Sequence, residues 1–197
     1  MKNIWIMMLI ILSFSGIYGQ DASDMGMNPA GAQKFVTVQG FIINSIGEFK
    51  DVWKSAGGFY IGYGKISTSD WALVLQTGYF NFTQNDASPY TGDPSFHVIP
   101  LMIGGRYYIA RDLFQPFLLA MSGVNIISEK FTLDGKVTDK TMGKLAFQVG
   151  AGVGVELSDN LAVEIAAKYN SHTIDPSLLY NMTGLEYGLG VIWFLHP

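Results

Sequence analysis

Cysteine is absent from the 197 residues. That excludes disulfides, a cysteine metal site and a lipoprotein anchor. Charge is scarce as well, with 12 basic and 16 acidic residues, a net charge of -4 and a pI near 5.2. No basic patch can form from so few cations, which argues against a nucleic-acid partner. Histidine is limited to His97, His172 and His196, and the loop carboxylates Asp86, Asp93, Asp134, Asp139 and Asp175 lack the spacing of a calcium loop. No metal or cofactor site is therefore expected. Long apolar runs are missing beyond the N-terminal segment. Helical membrane spans, which need roughly 20 apolar residues, are excluded there.

What the chain does contain is 49% hydrophobic residues, 23 glycines and 14% aromatics. An ordinary soluble helical domain is neither so apolar nor so rich in glycine. A membrane protein without helical spans has to be a closed barrel, because in lipid every backbone polar group must find its partner within the protein.

The N-terminus supplies the route out of the cytoplasm. Lys2, an apolar run from Ile4 to Leu12, and small or polar residues up to Gly19 read as a secretory signal, with cleavage expected between Gly19 and Gln20. Three regions follow: a signal peptide over 1–19, a flexible periplasmic arm over 20–33, and one barrel domain over 34–197.

The stretch Lys144 to Glu156 shows the plan of that domain. Leu145, Phe147, Val149, Ala151, Val153 and Val155 share one parity; Ala146, Gln148, Gly150, Gly152 and Gly154 share the other, with Lys144 and Glu156 at its ends. Alternation of period two is a strand. A face made mostly of glycine suits the lumen of an eight-stranded barrel, which is only wide enough for side chains to fill. The apolar face then meets lipid.

Seven more segments repeat it. Strands are expected at 34–44, 58–66, 71–82, 96–109, 114–127, 161–170 and 183–195. The fifth, 114–127, is apolar on both parities, so its facing stays open. Pro100 lies within the fourth and predicts a bulge. The connections alternate long and short around the chain, with STSD, ARDL and SDN as the short ones, matching the long outer loops and short periplasmic turns of membrane barrels. The fold class is an all-β, eight-stranded antiparallel up-and-down transmembrane barrel. A lipocalin-like soluble barrel would reverse the faces, and the outward residues of the last three strands are too apolar for water.

Inward parity selects a polar lumen network of Arg106, Gln148, Glu156, Glu164, Lys168 and Glu186. Arg106, Glu156 and Glu164 are expected near the periplasmic rim, with Lys168 and Glu186 higher. Outward parity selects an aromatic girdle: Trp71, Tyr107 and Trp193 near the periplasmic ends, and Tyr79, Tyr169 and Tyr187 nearer the outer ends. Trp53, Tyr90 and Phe131 fall in long connections, as exposed anchors for a partner or folded onto their own loops. A Ser171–His172 nucleophile pair is disfavoured, since neighbours in a strand point to opposite faces, and no other catalytic set is visible.

The stretches FKDVWKSAGGFYIGYG, IPLMIGGRYYI and GVGVELSDNLAVEIAAKY resemble the small eight-stranded outer-membrane barrels of Gram-negative bacteria, of the OmpA transmembrane domain, OmpX and OmpW kind. The final strand, Glu186 to Trp193, is similar to the C-terminal signal read by barrel-assembly machinery in that family, although here the chain continues to Phe194-Leu195-His196-Pro197. The resemblance implies a monomer in the cell outer membrane, in contact with outer-membrane lipid and lipopolysaccharide. It implies a non-enzymatic structural or surface-interaction role through extracellular loops, with a closed polar lumen. Passage or binding of small hydrophobic molecules, as in the OmpW relatives, is the alternative; a lipid-modifying enzyme is a more distant one.

Overall fold

The computed structural model describes residues 33–67, 70–86, 88–172 and 182–195, His172 by its backbone alone. The expected signal peptide and nearly all of the arm lie outside the described residues, as do His196 and most of the last outer loop. Eight strands run β1 (Lys34–Ile46), β2 (Trp53–Ile66), β3 (Trp71–Gln84), β4 (Thr91–Tyr108), β5 (Phe114–Leu133), β6 (Lys136–Ser158), β7 (Leu161–His172) and β8 (Met182–Leu195), with one short helix, α1 (Phe49–Val52), between β1 and β2. Each strand pairs antiparallel with the next, and β1 pairs with β8 to close the barrel.

The register fixes the barrel's shape. From Val38 the ladder passes through Ile61, Thr77, Leu101 and Val124 to Leu145 on β6. In the other direction it passes through Val191 and Val163 to Val155. Leu145 and Val155 are ten residues apart, and that offset is the shear. With eight strands it inclines each strand by about 40° to the axis.

Alternation marks the membrane-crossing part of every strand: Val38, Ile61, Leu75, Leu101, Leu118, Val149, Ile165 and Leu189 point outward and are exposed, while Thr37, Tyr60, Val74, Met102, Phe117, Gln148, Lys168 and Glu186 are buried in the lumen. The strand with open facing resolves the same way, with Gln115, Phe117, Leu119, Met121, Asn125 and Ile127 inward.

Three features bear on the sequence expectation. Pro100 causes no bulge: its pairing with Asn125 is in register, and the ladder to β3 skips from Leu101 to Val98 without a shift. Lacking an N–H, proline removes a rung but inserts no residue. Second, the long connection from Ser128 to Gly143, in which the Asp134-Gly135 step signals a hairpin tip that extends the strands beyond the membrane, is a continuation of β5 and β6, paired up to Leu133 and Lys136 around a two-residue turn. Asp134 and Gly135 there have φ of 50° and 75°, the left-handed pair that a tight hairpin requires. Beyond the bilayer both faces of these strands are wet, so hydrophobic alternation stops marking them.

Third, Trp53 is no loop anchor. It opens β2 facing inward and is buried, its ring 5.3 Å from that of Phe96 and 6.2 Å from that of Tyr90. Tyr90 in turn stacks on Phe131 at 4.1 Å. Helix α1 buries Phe49 and Val52 in the same group, so the first outer connection folds into the mouth of the barrel and corks it.

A closed membrane barrel resists detergent until heated. Unboiled protein is expected to migrate differently from boiled protein on a detergent gel, and a protein that shows no shift and stays soluble without detergent would require the two faces to be exchanged.

Candidate functional site: a polar waist in a plugged lumen

The lumen has three layers. An apolar and aromatic layer at the outer end contains Phe41, Ile43, Phe49, Trp53, Phe80, Phe82 and Phe96. Another at the periplasmic end contains Phe35, Val74, Met102, Tyr108, Phe117 and Phe194. Polar groups are concentrated between and among them, so the lumen is polar at its waist rather than throughout. Two plugs of aromatic rings do what side chains do in any protein core: they fill space and exclude water.

At the waist, Glu186 is the hub. Lys168, its direct partner in the β7–β8 register, places Nζ 2.7 Å from one carboxylate oxygen. The other oxygen accepts hydrogen bonds from the Tyr60 hydroxyl at 2.8 Å, Asn170 Nδ2 at 2.9 Å and Gln148 Nε2 at 3.1 Å. Lys168 also donates to Gln39 Oε1, and its ammonium lies 4.7 Å from the centre of the Tyr60 ring. A fully buried carboxylate is tolerable only when its charge and its lone pairs are both answered; four side chains do so here.

Lower down, Arg106 Nη1 lies 2.8 Å from Glu164 Oε2, and the guanidinium sits over the Phe117 ring at 4.1 Å. Both charged groups are at most 5% exposed. Glu156 stands apart from this pair. It is half-buried at the periplasmic end and accepts from Gln115 Nε2 at 2.9 Å. At the mouth, Arg111 lies over the Tyr108 ring and donates to Gln33 on the chain entering β1.

The glycines of β6 are what make the space. A Cβ at Gly150 would meet Lys168 Cγ at 2.8 Å, and one at Gly152 would meet the Phe117 ring at 2.4 Å. The residues that sequence reasoning left out of the network, Tyr60, Gln39 and Asn170, all have inward parity. What it lacked was their height in the barrel, which only the shear supplies.

On the outer wall, Trp71 and Tyr107 are register partners with ring centres 5.0 Å apart, and Trp193 is exposed near the periplasmic end of β8. Tyr79 hydrogen-bonds His97 Nδ1 at 2.6 Å, which places His97 outward in the wall, and Tyr169 approaches Phe147. Tyr187 lies in the row of Ile42 and Ala167, with Leu185 above it. Ser171 and His172 are consecutive positions of β7.

A family model described as the outer membrane protein beta-barrel domain matches residues 16–192. The chain belongs to that family. It is an outer-membrane protein that crosses the bilayer as an eight-stranded barrel. Similar solved structures include Neisserial surface protein A, 16% identical with a TM-score of 0.58 over 81% of this chain and 96% of that one. The attachment invasion locus protein Ail of Yersinia pestis is 17% identical with a TM-score of 0.56, covering 84% and 100%. OprG of Pseudomonas aeruginosa is 14% identical with a TM-score of 0.55, covering 84% and 97%. At these identities the likeness is one of fold. No curated protein sequence matches the chain.

Removing one member of a buried ion pair leaves the other charge stranded. Arg106→Ala and Lys168→Ala are each expected to cost about 3 to 5 kcal/mol and to lower the midpoint of thermal unfolding in detergent while still allowing insertion. Gln115→Ala, which removes only a neutral hydrogen-bond donor from the half-buried Glu156, should cost far less. An unchanged midpoint for Arg106→Ala would remove it from the network.

Proposed function

We propose that this barrel is a non-catalytic surface-interaction protein, whose lumen stays shut and whose working part is the β5–β6 hairpin above the membrane. The observation that carries the reading is the length of that hairpin. The outward apolar rows end at Ile126 on β5 and Leu145 on β6, with Val137 alone beyond them; the paired strands continue to Leu133 and Lys136.

The projection is stiff. It is paired along its full length, joined on one side by the start of β4 through Thr91 and Ser95, and braced underneath by the Phe131–Tyr90–Trp53 rings. On its other side the β6–β7 ladder begins only at Ala146. Among the described residues, positions 136–143 have no strand neighbour on that edge. An open edge offers its N–H and C=O groups to an extended segment of another protein, the mode called β-augmentation. Lys136, Asp139 and Lys140 are exposed around it, and edge charges of this kind restrain indiscriminate pairing.

Passage of small hydrophobic molecules, the second reading, has less support. The outer mouth is corked by Phe49, Val52 and Trp53, and the wall keeps its register through Pro100. The loops of Ail and NspA suggest nothing specific for this chain, since the likeness covers fold alone.

The test uses cells displaying either the whole protein or a variant in which residues 130–139 are replaced by an Asn-Gly turn. Both are expected to show the heat-dependent gel shift. Only the whole protein should bind an immobilised panel of extended, strand-forming peptides, and neither should raise the conductance of a planar bilayer. Undiminished binding by the trimmed variant, or steady channels from the whole protein, would reject the reading.

A further inference from the structure

The apolar belt around the barrel is not of even height. On β1 the outward residues are apolar only from Val36 to Ile42, between Lys34 and Asn44, and on β2 only from Gly57 to Tyr63, between Ser55 and Lys65. On β5 they run from Phe114 to Ile126, interrupted only by Ser122. At an axial rise of about 2.5 Å per inclined residue, the belt is roughly 15 Å tall on the β1–β2 flank and roughly 30 Å tall on β5. The usual belt is about 25 Å.

The short flank ends, on its periplasmic side, in an arrangement that strands normally avoid. Lys34 and Lys65 are direct register partners, and both are exposed on the lipid-facing parity. Like charges directly opposite one another are destabilising, and neither lysine has an acidic partner among the described residues. The row they occupy is otherwise apolar, with Leu195 next to Lys34 and Leu73 next to Lys65. Two tryptophans bracket it: Trp193, which pairs with Val36 just above Lys34, and Trp71, two residues below Leu73. Tryptophan at such a level marks the boundary between headgroups and hydrocarbon.

A second feature lies above the pair. The outer wall of β1, β8, β7 and β6 carries a shallow concavity of about 850 Å³ at mid-height, where Gly40, Ala151 and Ala167 replace the larger side chains found elsewhere. From Lys34 to Gly40 the strand climbs roughly 15 Å along the axis. That is about half the hydrocarbon thickness, the depth an acyl chain of one leaflet reaches.

We infer that this flank holds one glycerophospholipid of the periplasmic leaflet, its phosphodiester between Lys34 and Lys65 and one acyl chain lying along β1 into the concavity beside Gly40. The anion answers the opposed ammonium groups. The lysine stems allow the charges to reach the headgroup level from within the belt.

The test is native mass spectrometry of the folded protein in detergent, titrated with dipalmitoyl phosphatidylglycerol or with the matching diacylglycerol, which lacks the phosphate. The wild type is expected to retain one phosphatidylglycerol and to bind diacylglycerol at least tenfold more weakly. Lys34→Gln/Lys65→Gln should lose tenfold or more for the phospholipid, and Lys34→Arg/Lys65→Arg should keep it. Gly40→Leu should weaken retention severalfold with both lysines intact; a Cβ there meets nothing within 4 Å, so the variant folds, and the gel shift verifies this for each protein. Equal retention by the double glutamine variant, equal affinity for diacylglycerol, or no effect of Gly40→Leu would each overturn the assignment.

Discussion

Within hydrocarbon no backbone N–H or C=O can be left without a partner, and the closure of β1 onto β8 is how this chain meets that demand. Everything else follows from the ring. Eight strands with a ten-residue offset set the inclination and the diameter, and the diameter leaves an interior that side chains alone must fill. Filling it explains the glycines: Gly150 and Gly152 are vacant because Lys168 and the Phe117 ring occupy the space their side chains would take.

A lumen filled this way faces a conflict between packing and charge. Aromatic rings fill it best, yet the waist holds Arg106, Glu164, Lys168 and Glu186 among groups with almost no solvent contact. Buried ion pairs are poor sources of net stability, because desolvation consumes most of what attraction supplies. Their value is in geometry. Lys168 and Glu186 face each other only in the observed β7–β8 register. A one-residue slip between the two strands would turn one of them to the lipid face, where an isolated charge is far more costly, and leave the other unpaired in the lumen. The pairs therefore penalise wrong registers in a protein whose outward residues, mostly Val, Leu and Ile, distinguish registers poorly.

The sequence made the wall legible because lipid imposes a strict alternation, as in Leu145 to Val155 against Gln148 to Gly154. It made the inward residues of the network legible for the same reason. It did not reveal which of them meet, since Glu186 joins Tyr60 from 126 residues away through an offset that no single strand encodes. The outer ends were the least legible. Above the membrane the solvent is water on both faces, and the hairpin at Asp134-Gly135 keeps pairing after its alternation has lapsed. The inward position of Trp53 is hidden in the sequence because Trp53 has the outward parity of β2, and an irregularity in the ladder between Trp53 and Ala56 turns it into the lumen.

The same alternation that identifies the wall also measures it, strand by strand, and the measure differs around the ring. A bilayer meeting a belt that is about half as tall on β1–β2 as on β5 must thin locally, tilt the barrel, or bring headgroups to the protein. Tilting would lower the tall flank and raise the short one, yet Trp193 and Trp71 stand on either side of the short flank at the periplasmic boundary and resist being drawn inward. Thinning next to β1 and β2 is then the accommodation that leaves the tryptophans in place. It brings phosphates up to Lys34 and Lys65, and the positive charge of those lysines makes that position favourable for the lipid as well as for the wall.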